Sequence, residues 1–204
     1  MKETKEKLLQ TATELFSKRG IEGVSTRDLA KASGVNLCSI NYYFGTKQKL
    51  YEAILENVVE KIVSLVTDRQ ISLQNQGLSA LEEIKTFAGN LLDLLCSDTI
   101  SSIQAELLIK EIINPTAAYD KLYLQVIEPL HKRLTSLVMQ LTGVSEQEAI
   151  IKTHCIMGQA VMFRIHKEAL LRRLGTEKYT PELVAEIRKQ VLTNCEVILT
   201  GGRK

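Results

Sequence analysis

The chain contains no pair of cysteines with the C-x-x-C spacing of a zinc or dithiol site; Cys38, Cys96, Cys155 and Cys195 are scattered singly. Proline is held to three residues and no Ser/Gly-rich tract interrupts the sequence, which argues against a long disordered linker. No apolar run reaches the length of a membrane span, and Met1-Lys2-Glu3-Thr4-Lys5-Glu6 leads into an amphipathic helix without the apolar core of a secretion signal. The expected location is the cytoplasm, with reduced thiols. Also missing are a phosphate-binding glycine loop, a nucleophile elbow and a pair of carboxylates placeable in one site, so no enzyme activity, no catalytic residue and no cofactor are expected. His131, His154 and His166 lack compact ligand spacing, and the neighbours His154 and Cys155 point about 100° apart on a helix, so no metal site is expected.

What is present is a composition of 45% hydrophobic and 25% charged residues, that of a compact folded protein. The overall charge of +2 hides an asymmetry: residues 1–50 carry nine basic against five acidic side chains, a net +4, which leaves the remainder at −2. A basic N-terminal module on a mildly acidic body points to a polyanion partner, because phosphate contacts dominate affinity for DNA.

Apolar residues recur at helical spacing throughout, and no stretch alternates with a period of two, so the fold class is all-α. Leu8, Ala12, Leu15 and Phe16 share one face of a first helix that stops at Gly20. Ser25-x-x-Asp28 is a capping box opening a short second helix to about Ser33, with Leu29, Ala30 and Ala32 as its apolar positions. Asn36 caps a third helix, Leu37 to Phe44, and Gly45-Thr46 precede a long fourth helix carrying Leu50, Ile54, Val58, Ile62 and Leu65. Later helices read as 79–95, 100–113, 116–142, 145–173 and 180–200, with breaks near Gln76-Gly77, Ser97-Asp98, Asn114-Pro115, Gly143 and Gly175. The expected division is an N-terminal module, 1–50, and a larger helical body, 51–204.

Two short helices joined by a glycine turn form a helix-turn-helix, whose second helix fits a DNA major groove. Ala30, Val35, Ile40 and Phe44 can pack inward, which leaves Leu37, Cys38, Ser39, Asn41, Tyr42 and Tyr43 to face outward. Ser, Asn and Tyr can hydrogen-bond bases and phosphates. Lys47 and Lys49 add cations near the start of the fourth helix. The competing reading is an ordinary pair of bundle helices with half-buried tyrosines.

Residues from about Leu8 to Leu55 resemble the DNA-binding domain of the TetR family. The resemblance rests on Leu9-x-x-Ala12-x-x-Leu15-Phe16-x-x-x-Gly20, on Thr26 with Leu29-Ala30 and Gly34-Val35, and on Tyr42-Tyr43-Phe44-Gly45-Thr46-Lys47. It implies that Thr26 and Arg27 hold the DNA backbone, that Leu37 to Tyr43 form the recognition helix, and that Tyr43 and Lys47 clamp phosphates. Asn41 stands where many members have Tyr, and Cys38 where small residues or Pro are common, so base-by-base readout does not carry over.

From about Glu106 to Phe163 the chain is similar to the C-terminal domain of the CecR-like subgroup, through Asn114-Pro115-Thr116-Ala117, Ile127-Glu128-Pro129, Gly158-Gln159-Ala160 and Phe163. That resemblance implies a small-molecule or stress signal. Pro129 interrupts a helical pattern and should kink it. Gln104, Tyr119, Tyr123, Gln159 and Phe163 are candidate pocket residues. The uncharged stretch Cys155 to Phe163 must be buried on both sides, so the last two long helices are expected to form a two-fold dimer through Gly158, Ala160, Val161, Ile187 and Val191. The expected function is a homodimeric repressor of a palindromic operator, released by a small molecule; the alternative is an interaction protein of the same fold that does not read specific DNA.

Overall fold

In the computed structural model, residues 2–74, 77–96 and 102–201 are described, with side chains for 3–64, 77–96 and 103–201. The apolar side chain expected of Leu65 and the breaks at Gln76 and Ser97-Asp98 lie outside them. Among the described residues there is no strand. The helices are α1 (Lys2–Arg19), α2 (Thr26–Ser33), α3 (Leu37–Phe44), α4 (Lys47–Gln74), α5 (Ala80–Cys96), α6 (Ser102–Ile113), α7 (Tyr119–Leu122), α8 (Glu128–Thr142), α9 (Glu146–Ile165), α10 (Lys167–Leu174) and α11 (Pro181–Thr200), with a π-helical turn at Tyr123–Ile127. The protein is all-α, with a helix-turn-helix at its N-terminal end.

Two compact units are formed, Met1–Val66 with Ser101–Val126, and Thr67–Ile100 with Ile127–Lys204. In the first, Leu8, Ala12 and Phe16 of α1 are fully buried with Leu29 of α2, Ile40 of α3 and Leu50 of α4. Burying each large apolar side chain contributes roughly 1.5–3 kcal/mol, enough in sum to order the two short helices α2 and α3 against α1 and α4. Leu107 of α6 and Ala118 enter the same core, and α6 packs along α1. The packing units therefore cut the chain differently from a division at residue 50.

In the second unit α9 packs against α5, α8 and α11. Its core includes Ile84, Ala88, Leu92, Leu134, Val138, Ile156, Ala160, Val191 and Cys195. Gly89 of α5 marks a close approach by a flexible side chain: a Cβ there would lie 2.4 Å from the guanidinium of Arg188, which crosses this point to pair with Asp93.

The helix expected over 116–142 runs as one helical stretch from Tyr119 to Thr142 with a π turn inside it. Thr116 Oγ1 accepts a hydrogen bond from Ala118 N and holds a turn, α7 follows, and the π turn delivers the chain to α8, in which Pro129 is the second residue. Proline lacks the N–H that an α-turn requires and its ring crowds the carbonyl four residues back; the wider π turn immediately before it accommodates both. The helix expected over 145–173, by contrast, is divided at His166, where φ −98° and ψ 19° leave the α-region.

Candidate nucleic-acid interface

Each short helix of the N-terminal module is held by local capping. Ser25 Oγ accepts from Asp28 N at 3.1 Å, and Asp28 Oδ2 accepts from Ser25 N at 2.9 Å, closing the expected capping box. The Ser25 backbone N–H and hydroxyl, which both donate to this carboxyl, and the nearby Arg19 guanidinium at 3.5 Å hold Asp28 below its ordinary pKa. α2 ends at Gly34, whose φ of 65° is readily available only without a side chain. Asn36 Oδ1 then accepts from Cys38 N at 2.9 Å and starts α3.

The inward face of α3 is fixed by Ile40, which is fully buried, with Ala30, Val35 and Phe44 partly buried beside it. Ala32, expected inside, is exposed; Ser33 occupies the inward position instead and donates from Oγ to Leu29 O at 2.6 Å. Its small size suits a tight helix crossing, and its hydroxyl is satisfied within its own helix.

The outward face carries Leu37, Cys38, Asn41 and Tyr42, all exposed, with Ser39 and Tyr43 half-buried. Tyr42 is 74% exposed and its ring meets Tyr43 edge-on at 5.0 Å. A tyrosine that open is not a core residue, which removes the bundle-packing alternative for this position. Arg27 is exposed and Thr26 half-buried at the start of α2.

Lys47 is not a freely extended cation: half-buried, it donates from Nζ to Ile21 O at 2.7 Å and ties the α1–α2 turn to α4. One of its three donors is thereby engaged. Lys7, which no motif of the sequence singles out, has its ammonium 3.6 Å from where a Gly34 Cβ would stand, which sets an exposed cation at the α2–α3 turn. Its position on the polar side of α1 was the available signal.

The other predicted residues fall in both units. Gln104, Tyr119 and Tyr123 belong to the first, where the two tyrosine rings stack at 6.2 Å; Gln159 and Phe163 belong to the second. Both side-chain polar atoms of Gln159 are buried without a hydrogen-bond partner among the described residues. Of the predicted interface residues, Ala160, Ile187 and Val191 face their own core and are not available to a partner, because α9 and α11 need those positions to pack within the chain. Val161 and Gly158 are half-buried, and a Cβ on Gly158 would meet nothing within 4 Å.

The family model for bacterial regulatory proteins of the tetR family matches residues 8–54, and that for the C-terminal domain of the HTH-type transcriptional dual regulator CecR matches residues 80–202. The CecR dual regulator of Shigella flexneri is 30% identical over 98% of this chain and 92% of its own. A transcriptional regulator from Saccharomonospora viridis in complex with choline superposes with a TM-score of 0.62 at 19% identity, covering 97% of this chain and 96% of that one. AibR, in complex with isovaleryl coenzyme A and operator DNA, does so with a TM-score of 0.65 at 13% identity, covering 94% and 97%. The fold and the capped, outward-facing α3 define a helix-turn-helix transcription regulator. The chain belongs to the TetR family of DNA-binding regulators and carries a CecR-type C-terminal domain.

No helix among the described residues is long and apolar enough to cross a membrane.

Proposed function

We propose that this regulator acts as a homodimer on a palindromic operator, represses from it, and is released by a small-molecule ligand. The observation that carries the reading is the outward face of α3, where Leu37, Cys38, Asn41 and Tyr42 are exposed on a helix whose ends and inner face are fixed. Thr26, Arg27, Ser39, Tyr43 and Lys47 complete the proposed contact set. Such a helix enters the major groove with little reorganisation, and preorganised contacts convert more of their energy into affinity.

Dimerisation is supported by a second exposed surface. Ile151, Cys155, Met162 and Ile165 are exposed on α9, and with Gly158 they form one stripe at spacings of four, three, four and three residues. A continuous apolar stripe on a regular helix is the seam of a helix–helix interface, and Gly158 allows close approach. Val197 adds an exposed apolar position on α11. Two copies of α3 set roughly 34–36 Å apart, or a multiple of one helical turn, match a palindrome.

Ligand response is supported by the neighbours bound to choline and to isovaleryl coenzyme A, and by Gln159, whose buried amide gains hydrogen bonds from a polar ligand group. In the same unit Phe163 is also proposed as a pocket residue; Gln104, Tyr119 and Tyr123 are proposed as ligand contacts of the first unit. The test is selection of a binding site from a random duplex pool followed by footprinting. An enriched palindrome protected on both half-sites is expected; an enriched asymmetric site, or no enrichment, refutes the proposal.

A further inference from the structure

Glu111 is fully buried on α6, yet no cation pairs with it among the described residues. Its carboxyl group accepts from Tyr51 Oη at 2.7 Å, from Thr116 N at 2.8 Å and from Thr116 Oγ1 at 2.9 Å. Tyr51 in turn packs edge-on against Phe16 of α1 at 5.5 Å. One polar knot therefore joins α1, α4, α6 and the turn before α7, all within the first unit.

A cavity of about 140 Å³ adjoins this knot. Glu52 of its lining directly follows Tyr51 and Ala117 directly follows Thr116, and Leu55, Glu56, Val59, Ala118 and Lys121 complete the walls. Leu55, Val59 and Ala118 give it a buried apolar floor. Glu56 is neutralised by Lys121 at 2.7 Å, whereas Glu52 has no hydrogen-bond or ion-pair partner among the described residues. The lining thus offers an apolar surface and one uncompensated negative charge, the chemistry that selects a small alkylated cation over an anion or a neutral molecule of the same shape.

We propose that this cavity binds a small organic cation against Glu52, and that its occupancy reaches the helix-turn-helix through the Tyr51–Glu111–Thr116 knot. The coupling rests on the ligand-responsive reading above; the binding site does not. A ligand that wedges Ala117-Ala118 away from α4 pulls on Thr116, and Glu111 transmits the displacement to Tyr51. Differential affinity for the two arrangements is what couples ligand to DNA.

The experiment is calorimetric titration of the full-length protein with tetramethylammonium, with tert-butanol and pivalate as neutral and anionic counterparts. One tetramethylammonium per chain is expected, with both counterparts at least about tenfold weaker. Glu52→Gln should lower affinity for the cation about tenfold with unchanged thermal stability. No binding of tetramethylammonium, equal binding of pivalate, or an unaffected Glu52→Gln overturns the site. Tyr51→Phe should bind the cation like the wild type while its DNA affinity no longer responds. A response in Tyr51→Phe equal to that of the wild type, or no response in the wild type, overturns the coupling and leaves the site standing.

Discussion

The hydroxyl of Tyr51 donates a 2.7 Å hydrogen bond to the buried carboxyl group of Glu111, 60 residues away in sequence. Removing the acceptor leaves the Tyr51 hydroxyl and the Thr116 donors unpaired, so Glu111→Ala should cost about 3 kcal/mol or more, and Tyr51→Phe about 1–2 kcal/mol. Urea denaturation of the two variants measures both. A Glu111→Ala protein as stable as the wild type would show that the knot does not hold α6 to α4.

Two glycine substitutions should diverge. A Cβ on Gly23 would stand 2.3 Å from the backbone carbonyl oxygen of Arg19, whereas one on Gly89 meets the flexible end of Arg188. Gly23→Ala should destabilise the N-terminal module by about 2 kcal/mol or more, since backbone must move. Gly89→Ala should change stability by less than about 1 kcal/mol, as the half-exposed Arg188–Asp93 pair shifts and the helix gains alanine's propensity. Thermal denaturation distinguishes them.

Stability should fall in alkali. Burial pushes the thiols of Cys96 and Cys195 up to about 11 and the phenol of Tyr179 up to about 12. A raised folded-state value means that the folded protein holds its proton longer than the unfolded chain. That contribution is complete below the ordinary thiol value near 8.5 and is lost as pH rises through 11 and 12. Tyr51, raised first by burial and then by Glu111, extends the decline. Urea midpoints should drop steadily between pH 8.5 and 11, less so in Cys195→Ala; a flat profile contradicts this.

Thiol labelling reports the proposed dimer. Cys38 and Cys155 are exposed in the single chain and Cys195 is buried. Cys38 should react rapidly with a maleimide, Cys195 only on unfolding, and Cys155 slowly in the dimer. Met162→Asp should give a monomer in equilibrium sedimentation and expose Cys155 to labelling. A Met162→Asp protein that remains dimeric places the interface elsewhere.

Much of this structure is legible in the sequence where a local cause suffices. Ser25-x-x-Asp28, Asn36 and the glycines at 34, 45 and 143 set helix ends through interactions within a few residues, and those ends are found. The outward face of α3 is equally local, because burial of Ile40 assigns its neighbours to the other side. What is not legible depends on distant partners. Nothing in the pattern around Glu111 announces a carboxyl group satisfied by Tyr51 and Thr116, and Lys47 looks like a free cation until the Ile21 carbonyl is placed beside it. An uncharged helix such as α9 shows that two faces are covered but not which face the chain's own core takes; Ala160 proves to be inside, while Met162 is left outside.

The most direct test of the account is a fluorescence-anisotropy titration against DNA from upstream of the protein's own gene, or the selected site, at two salt concentrations. Wild type, Tyr42→Ala and Lys47→Ala are compared. Saturable binding that weakens with salt is predicted, with Tyr42→Ala losing about tenfold or more in affinity at unchanged thermal stability, and Lys47→Ala losing both affinity and stability. Tyr42→Ala binding as tightly as the wild type would contradict the assignment of α3 as the surface that reads DNA.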